Sequence, residues 1–184
     1  MLKEFKPTIL FLVKFALIFG IGSFAYGSYI KSFHNPENPQ PDNFTNWVAV
    51  QSNGMLHMLG YKTKLYYPEK SPIIDIYIDN EEQNGVSFYE GCNGLNIMIL
   101  FVAFVFAFSN NYKTMLWFIP VGLISIHIFN LLRIVSLTIM ATVNSTAFHF
   151  FHKYAFTGII YVFVFFLWYL WATKFSNVTA KDAE

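Results

Sequence analysis

"MLWFIPVGLISIHIFNLLRIVSLTIMATV" (Met115–Val143) carries one formal charge, Arg133, in an otherwise apolar and small-residue run. A helix crossing the roughly 30 Å hydrocarbon core of a bilayer needs roughly 20 such residues in succession. The run is long enough to span. Three more read the same way: Pro7–Ile30, Leu95–Phe108 (extended at its ends by small polar residues) and Tyr154–Ala172. The expected fold is an all-α membrane protein with four transmembrane helices.

Composition agrees. The 184 residues are 55% hydrophobic and 20% aromatic, with 12% charged and 22 phenylalanines, and the apolar residues fall in blocks. Such a chain is an integral membrane protein rather than a soluble domain. A net charge of +1 and a single arginine exclude a nucleic-acid surface. Lys3 and Lys6 before the first run resemble a signal peptide, but the apolar stretch is long and no small-x-small cleavage site follows. It reads as an uncleaved signal anchor.

Lysines set the expected orientation. Lys3, Lys6 and Lys14, then Lys113, then Lys174 and Lys181 fall on one side of a four-span chain, which is therefore the cytoplasm. The loop from Lys31 to Gly91, with eight acids against four lysines, faces outward. The chain divides into a first helix (1–30), an outer loop or cap (31–91), a three-helix core (92–174) and a cytoplasmic tail (175–184). Both termini are expected inside, with Cys92 on the outer face.

The outer loop has its own pattern. "NPENPQPDN" is a proline-rich linker, and Asp42 or Asn43 is placed to cap a following helix. From Phe44 to Leu59 the apolar residues Trp47, Val48, Val50, Met55, Leu56 and Leu59 make a loose helical stripe, expected to rest on the bilayer or on the spans. "YKTKLYY" and "PIIDIYID" alternate like short strands, "DNEEQNG" is a turn, and "VSFYE" leads to the cysteine. The loop is thus a small outward-facing subdomain of an amphipathic helix and short strands. A cap without chemistry is the plainer reading of it. Three N-x-S/T triplets, at Asn43, Asn144 and Asn177, carry little weight.

Cys92, the only cysteine, stands in "FYEGCNGLNI" where the polar loop gives way to the second span. A helix N-terminus there favours negative charge, so the thiol is expected to ionise more easily than the usual value of about 8.5. Gly91 and Gly94 leave room for a substrate backbone, and free amides at the turn are suited to an oxyanion. One cysteine forms no internal disulfide. Its bland alternative is a small packing residue.

An arginine inside a span is costly and by default marks function. Counted from Met115 at about 1.5 Å per residue, Arg133 lies about 27 Å along its helix, in the outer leaflet near the depth of Cys92. Asn130, three residues earlier, shares its face and is placed to hold the guanidinium. Snorkelling to the headgroups is the competing account. His149 and His152, in "STAFHFFHKYAF", open the last span from the outer side, where a histidine is suited to moving the thiol proton and protonating a leaving amine. Interfacial packing is the alternative for each. His127 lies deeper and reads as a packing or supporting residue. No metal-ligand set and no cofactor motif is evident.

"EGCNG" opening a span, "NLLRI" late in the next and "FHKYAF" opening the last resemble the exosortase/archaeosortase family of membrane cysteine transpeptidases. The resemblance covers about Ser87 to Ala172, and the short length is similar to the compact Bacteroidetes type, exosortase F. It implies Cys92 as nucleophile, Arg133 as the family's arginine and His152 as its histidine, with His149 the other candidate base. It departs at Asn93, where most of the family has a small Ser or Ala. It further implies a bacterial inner-membrane enzyme acting on its periplasmic face. The substrates would be exported proteins with a C-terminal sorting tail, joined through a thioester to an acceptor such as a surface glycan or lipid. Two other classes remain open on the residues alone: a non-catalytic membrane subunit of an envelope assembly or export complex, and a thiol redox protein needing a partner's thiol.

Overall fold

The computed structural model describes residues 5–35, 37–78, 85–109, 112–143 and 156–175. Among these residues five α-helices follow in order: α1 Lys6–Phe33, α2 Asn43–Met58, α3 Leu95–Ala107, α4 Tyr112–Val143 and α5 Phe156–Leu170, which continues as a π-helical turn, Trp171–Phe175. Between α2 and α3 lie β1 Thr63–Tyr66, β2 Ile74–Ile78, β3 Gly85–Phe88 and a 3₁₀ turn, Glu90–Cys92. The fold is thus mostly helical with one small sheet.

Among the described residues three helical segments are long and apolar enough to cross a membrane: Lys6–Phe33, Tyr112–Ala141 and Gly158–Phe175. The expected second span forms a helix of only 13 residues, Leu95–Ala107. At about 1.5 Å per residue it is about 20 Å long, short of a full crossing. Among the described residues the structure therefore gives three candidate spans and a shorter apolar helix, the latter at the segment that was already the shortest of the four expected from the sequence.

The chain separates into two compact units. One comprises residues 1–26, 95–126 and 161–184, and is held by aromatic packing. Phe11 meets Phe104 and Phe108 edge-on at 5.7 Å, Phe104 stacks on Trp168 at 4.3 Å, and Phe118 lies 4.8 Å from the fully buried Trp171. Helix contacts in lipid favour small residues because backbones must approach closely. A Cβ on Gly122 would overlap the Phe101 ring, and one on Gly22 would lie 2.7 Å from Cγ2 of Ile99. Leu17, Ile21, Val162 and Phe165 are exposed, the arrangement expected where lipid is the solvent.

The other unit comprises residues 27–94 and 127–160. Its antiparallel sheet has the order β1-β2-β3, with Thr63 opposite Ile78 and Ile74 opposite Phe88. The alternation read from "IIDIYI" is real: Ile74, Ile76 and Ile78 are buried on one face. The turn expected between β2 and β3 lies mostly outside the described residues. Asp42 is the N-cap of α2, its Oδ1 accepting from the amides of Phe44 and Thr45 at 3.0 Å each.

The apolar stripe of α2 needs correction. Its buried face is Thr45, Val48, Ala49, Ser52 and Leu56, at helical spacing, while Trp47, Val50 and Leu59 are exposed. That face packs with Ile74, Ile76 and Phe88 of the sheet and with Leu131, Ile134 and Val135 of α4. α2 therefore rests on the sheet and on α4, the second of the two expected placements, bilayer or spans.

Candidate active site

β3 delivers Cys92. After Phe88 the chain passes through Tyr89 into the 3₁₀ turn, and the Cys92 amide donates to the Tyr89 carbonyl at 2.8 Å. Cys92 is 8% exposed and belongs to the core cluster of its unit. Helix α3 begins at Leu95, so the cysteine precedes it by a short irregular stretch rather than capping it.

Two asparagines pin that turn. Asn130 of α4 is fully buried, and its Nδ2 donates to the Cys92 carbonyl at 3.0 Å. Asn93 is 1% exposed, and its Nδ2 donates to the Thr45 hydroxyl of α2 at 3.0 Å. The expectation that Asn130 holds the Arg133 guanidinium is not met among the described residues, because only the Asn130 Oδ1 could accept from that group. That Oδ1 has no hydrogen-bond partner, nor does the buried Nε of Arg133.

Gly94 has a reason beyond substrate room. Its φ of +82° lies in the left-handed region, and a Cβ there would sit 3.2 Å from the Asn130 amide. Gly94→Ala is expected to destabilise by about 1–3 kcal/mol, because a β-carbon resists that φ and crowds Asn130. Gly54→Ala, in the middle of α2 with nothing within 4 Å of its added carbon, should be neutral or stabilising by up to about 1 kcal/mol. Thermal unfolding of the two variants in detergent makes the comparison.

Arg133 lies one helical turn beyond Asn130, close enough for its charge to act on the Cys92 thiol. It also lines a small cavity of about 210 Å³ with Phe129, Leu132, Ser136, Ile159 and Ile160, a mostly apolar recess with one cation at its wall. The structure therefore brings together the cysteine and the arginine by one route, α4, that also supplies Asn130. His149 and His152 lie outside the described residues.

A transmembrane exosortase family model (Exosortase_EpsH) matches residues 7–172. The chain belongs to the transmembrane exosortase family. No curated protein and no solved structure matches it. Membership supports an exosortase-like membrane transpeptidase in general terms.

In this exosortase the electrostatics of the cysteine run against the sequence expectation. Burial pushes the Cys92 thiol up from its ordinary range; the Arg133 guanidinium and a backbone hydrogen bond from Tyr89 to the sulfur pull it down, and Glu90 pushes it up again. Burial wins, being the largest of these influences on a side chain that is almost wholly taken from water. The resting group is a thiol, and forming the thiolate requires a base or a change of surroundings.

Two contacts had no clear signal in the sequence. Glu90 pairs with His34 at 3.9 Å, tying the cysteine turn to the residue just past α1. His127 bonds Gln51 at 2.6 Å and stacks on Trp47 at 4.7 Å. Gln51 is polar and falls outside the apolar stripe read from the sequence, whereas Trp47 belongs to it. His127 is thus a packing residue, as expected.

Proposed function

We propose that this exosortase is a cysteine transpeptidase that cleaves C-terminal sorting tails of exported proteins at the outer face of the bacterial inner membrane. The observation that carries the reading is the cysteine turn itself: Asn130 pins the Cys92 carbonyl, and Arg133, on the same helix, sets its charge on the thiol. A buried polar arrangement of this kind is costly to maintain for packing alone.

His152, or His149, takes the thiol proton as Cys92 Sγ attacks the scissile carbonyl. Arg133 meets the oxygen that becomes negative, a task suited to a planar donor in a dry setting. Collapse of the tetrahedral species breaks the C–N bond. The departing amine of the tail takes the proton from the imidazolium, and a thioester remains on Cys92. An amine or hydroxyl of a surface glycan or lipid acceptor then attacks the thioester carbonyl. Its proton passes through the histidine back to sulfur, and the thiol is restored.

The lysine distribution supports both termini in the cytoplasm, with α3 and its flanking residues completing a fourth crossing. The 3₁₀ turn then lies at the periplasmic surface, where the tail of an exported protein arrives within the bilayer. The test is to trap the intermediate. Rapid acid quenching of the enzyme with a tailed substrate should give an adduct on Cys92 whose mass equals the substrate without its tail, released by hydroxylamine. An enzyme that processes substrate while Cys92 stays unmodified under those conditions overturns the reading.

A further inference from the structure

Asp42, Thr45 and Asn93 are all buried, at 2%, 0% and 1% exposure. Capping α2 needs only Oδ1 of Asp42, which accepts both free amides. Its Oδ2 is committed elsewhere, accepting from the Thr45 hydroxyl. A carboxylate has only acceptors, so that hydroxyl must donate to it and can only accept from the Asn93 amide. The direction of the chain is therefore fixed: Asn93 Nδ2 to Thr45 Oγ1, Thr45 Oγ1 to Asp42 Oδ2.

We propose that Asp42–Thr45–Asn93 is a positioning device for Cys92, anchored on the carboxylate of Asp42. It fixes the amide orientation of the residue next to the cysteine, while Asn130 holds the cysteine carbonyl from α4. The turn is thus gripped from two helices, α2 and α4. Hydrogen bonds to an ionised group are stronger than neutral ones, and a fully satisfied buried network specifies one geometry. Three polar side chains in a place where apolar packing would suffice point to geometry as what they supply. The outer loop then takes part in the reaction by aiming the nucleophile, a role distinct from shielding it.

The functional half of this inference rests on Cys92 being the nucleophile; the positional half does not, and two readouts separate them. The full-length protein is assayed in membrane vesicles for iodoacetamide alkylation of Cys92 and for processing of a tailed substrate. Thr45→Val keeps the volume and removes the link. Loosening the turn exposes the thiol, so alkylation should rise about fivefold while processing falls about tenfold, the size of one or two lost hydrogen bonds. Thr45→Ser should restore both. Thr138→Val removes another fully buried hydroxyl, one bonded only to its own helix, and should change neither.

The proposal is overturned if Thr45→Val alkylates as wild type, if Thr45→Ser is equally impaired, or if Thr138→Val has the same effect. It is also overturned if alkylation rises while processing is unchanged. Normal processing by Cys92→Ala would instead remove the nucleophile reading, leaving the alkylation result to decide the device. Should Thr45→Val fail to accumulate, Asp42→Asn makes the same comparison, since asparagine still caps a helix.

Discussion

Cys92→Ala is expected to leave tailed substrates unprocessed in the membrane, with a rate loss on the order of 10⁶-fold, the scale seen when an acyl-transfer enzyme loses its nucleophile. Alanine has no atom that forms the acyl bond, so only unassisted hydrolysis is left. The substitution is otherwise gentle. Cys92 is a small, nearly buried member of the core around Val48, Ile74 and Leu131, and removing sulfur leaves Asn130 its carbonyl acceptor. The variant should therefore keep its melting temperature within a few degrees while losing processing, followed as the gel shift of a tailed substrate. Processing at the wild-type rate would sink the transpeptidase mechanism and favour a non-catalytic envelope subunit.

Arg133→Lys should cost roughly 10²–10³ in rate, the range for losing one well-aimed oxyanion donor. Lysine keeps the positive charge and loses the rigid fork of donors. The charge and the shape can then be told apart by thiol chemistry. Burial pushes the Cys92 thiol up and Arg133 offsets part of that, so Arg133→Gln leaves burial unopposed. The pH profile for Cys92 alkylation should move to higher pH in Arg133→Gln and stay near wild type in Arg133→Lys. A fully active lysine variant would mean the guanidinium acts as charge alone. An unmoved profile in the glutamine variant would mean the two groups do not interact.

Local order in the outer loop was legible because it depends on short-range rules. The β2 alternation follows from strand geometry, and the Asp42 cap follows from two amides needing an acceptor. The buried face of α2 was not, since Thr45 and Ser52 are polar and a hydropathy stripe passes over them. Thr45 faces inward because Asp42 and Asn93 satisfy it, and Asn93 comes from a distant stretch of the chain.

The sequence by itself determined that this is a membrane protein, which residue is the only thiol and which the only arginine, the thiol at the edge of one apolar run and the arginine inside another. Those follow from the cost of polar groups in hydrocarbon and from helical rise, quantities that accumulate along one chain. Tertiary structure alone decided the second asparagine's partner, the two-sided grip on the cysteine turn and the upward push on its thiol. Hydrogen-bond pairing and burial depend on which elements meet, and α2, β3 and α4 meet at Cys92 from three separate stretches of the chain. Asn93, the departure from the family pattern, turned out to reach Thr45, a contact that a run of residues around the cysteine does not contain.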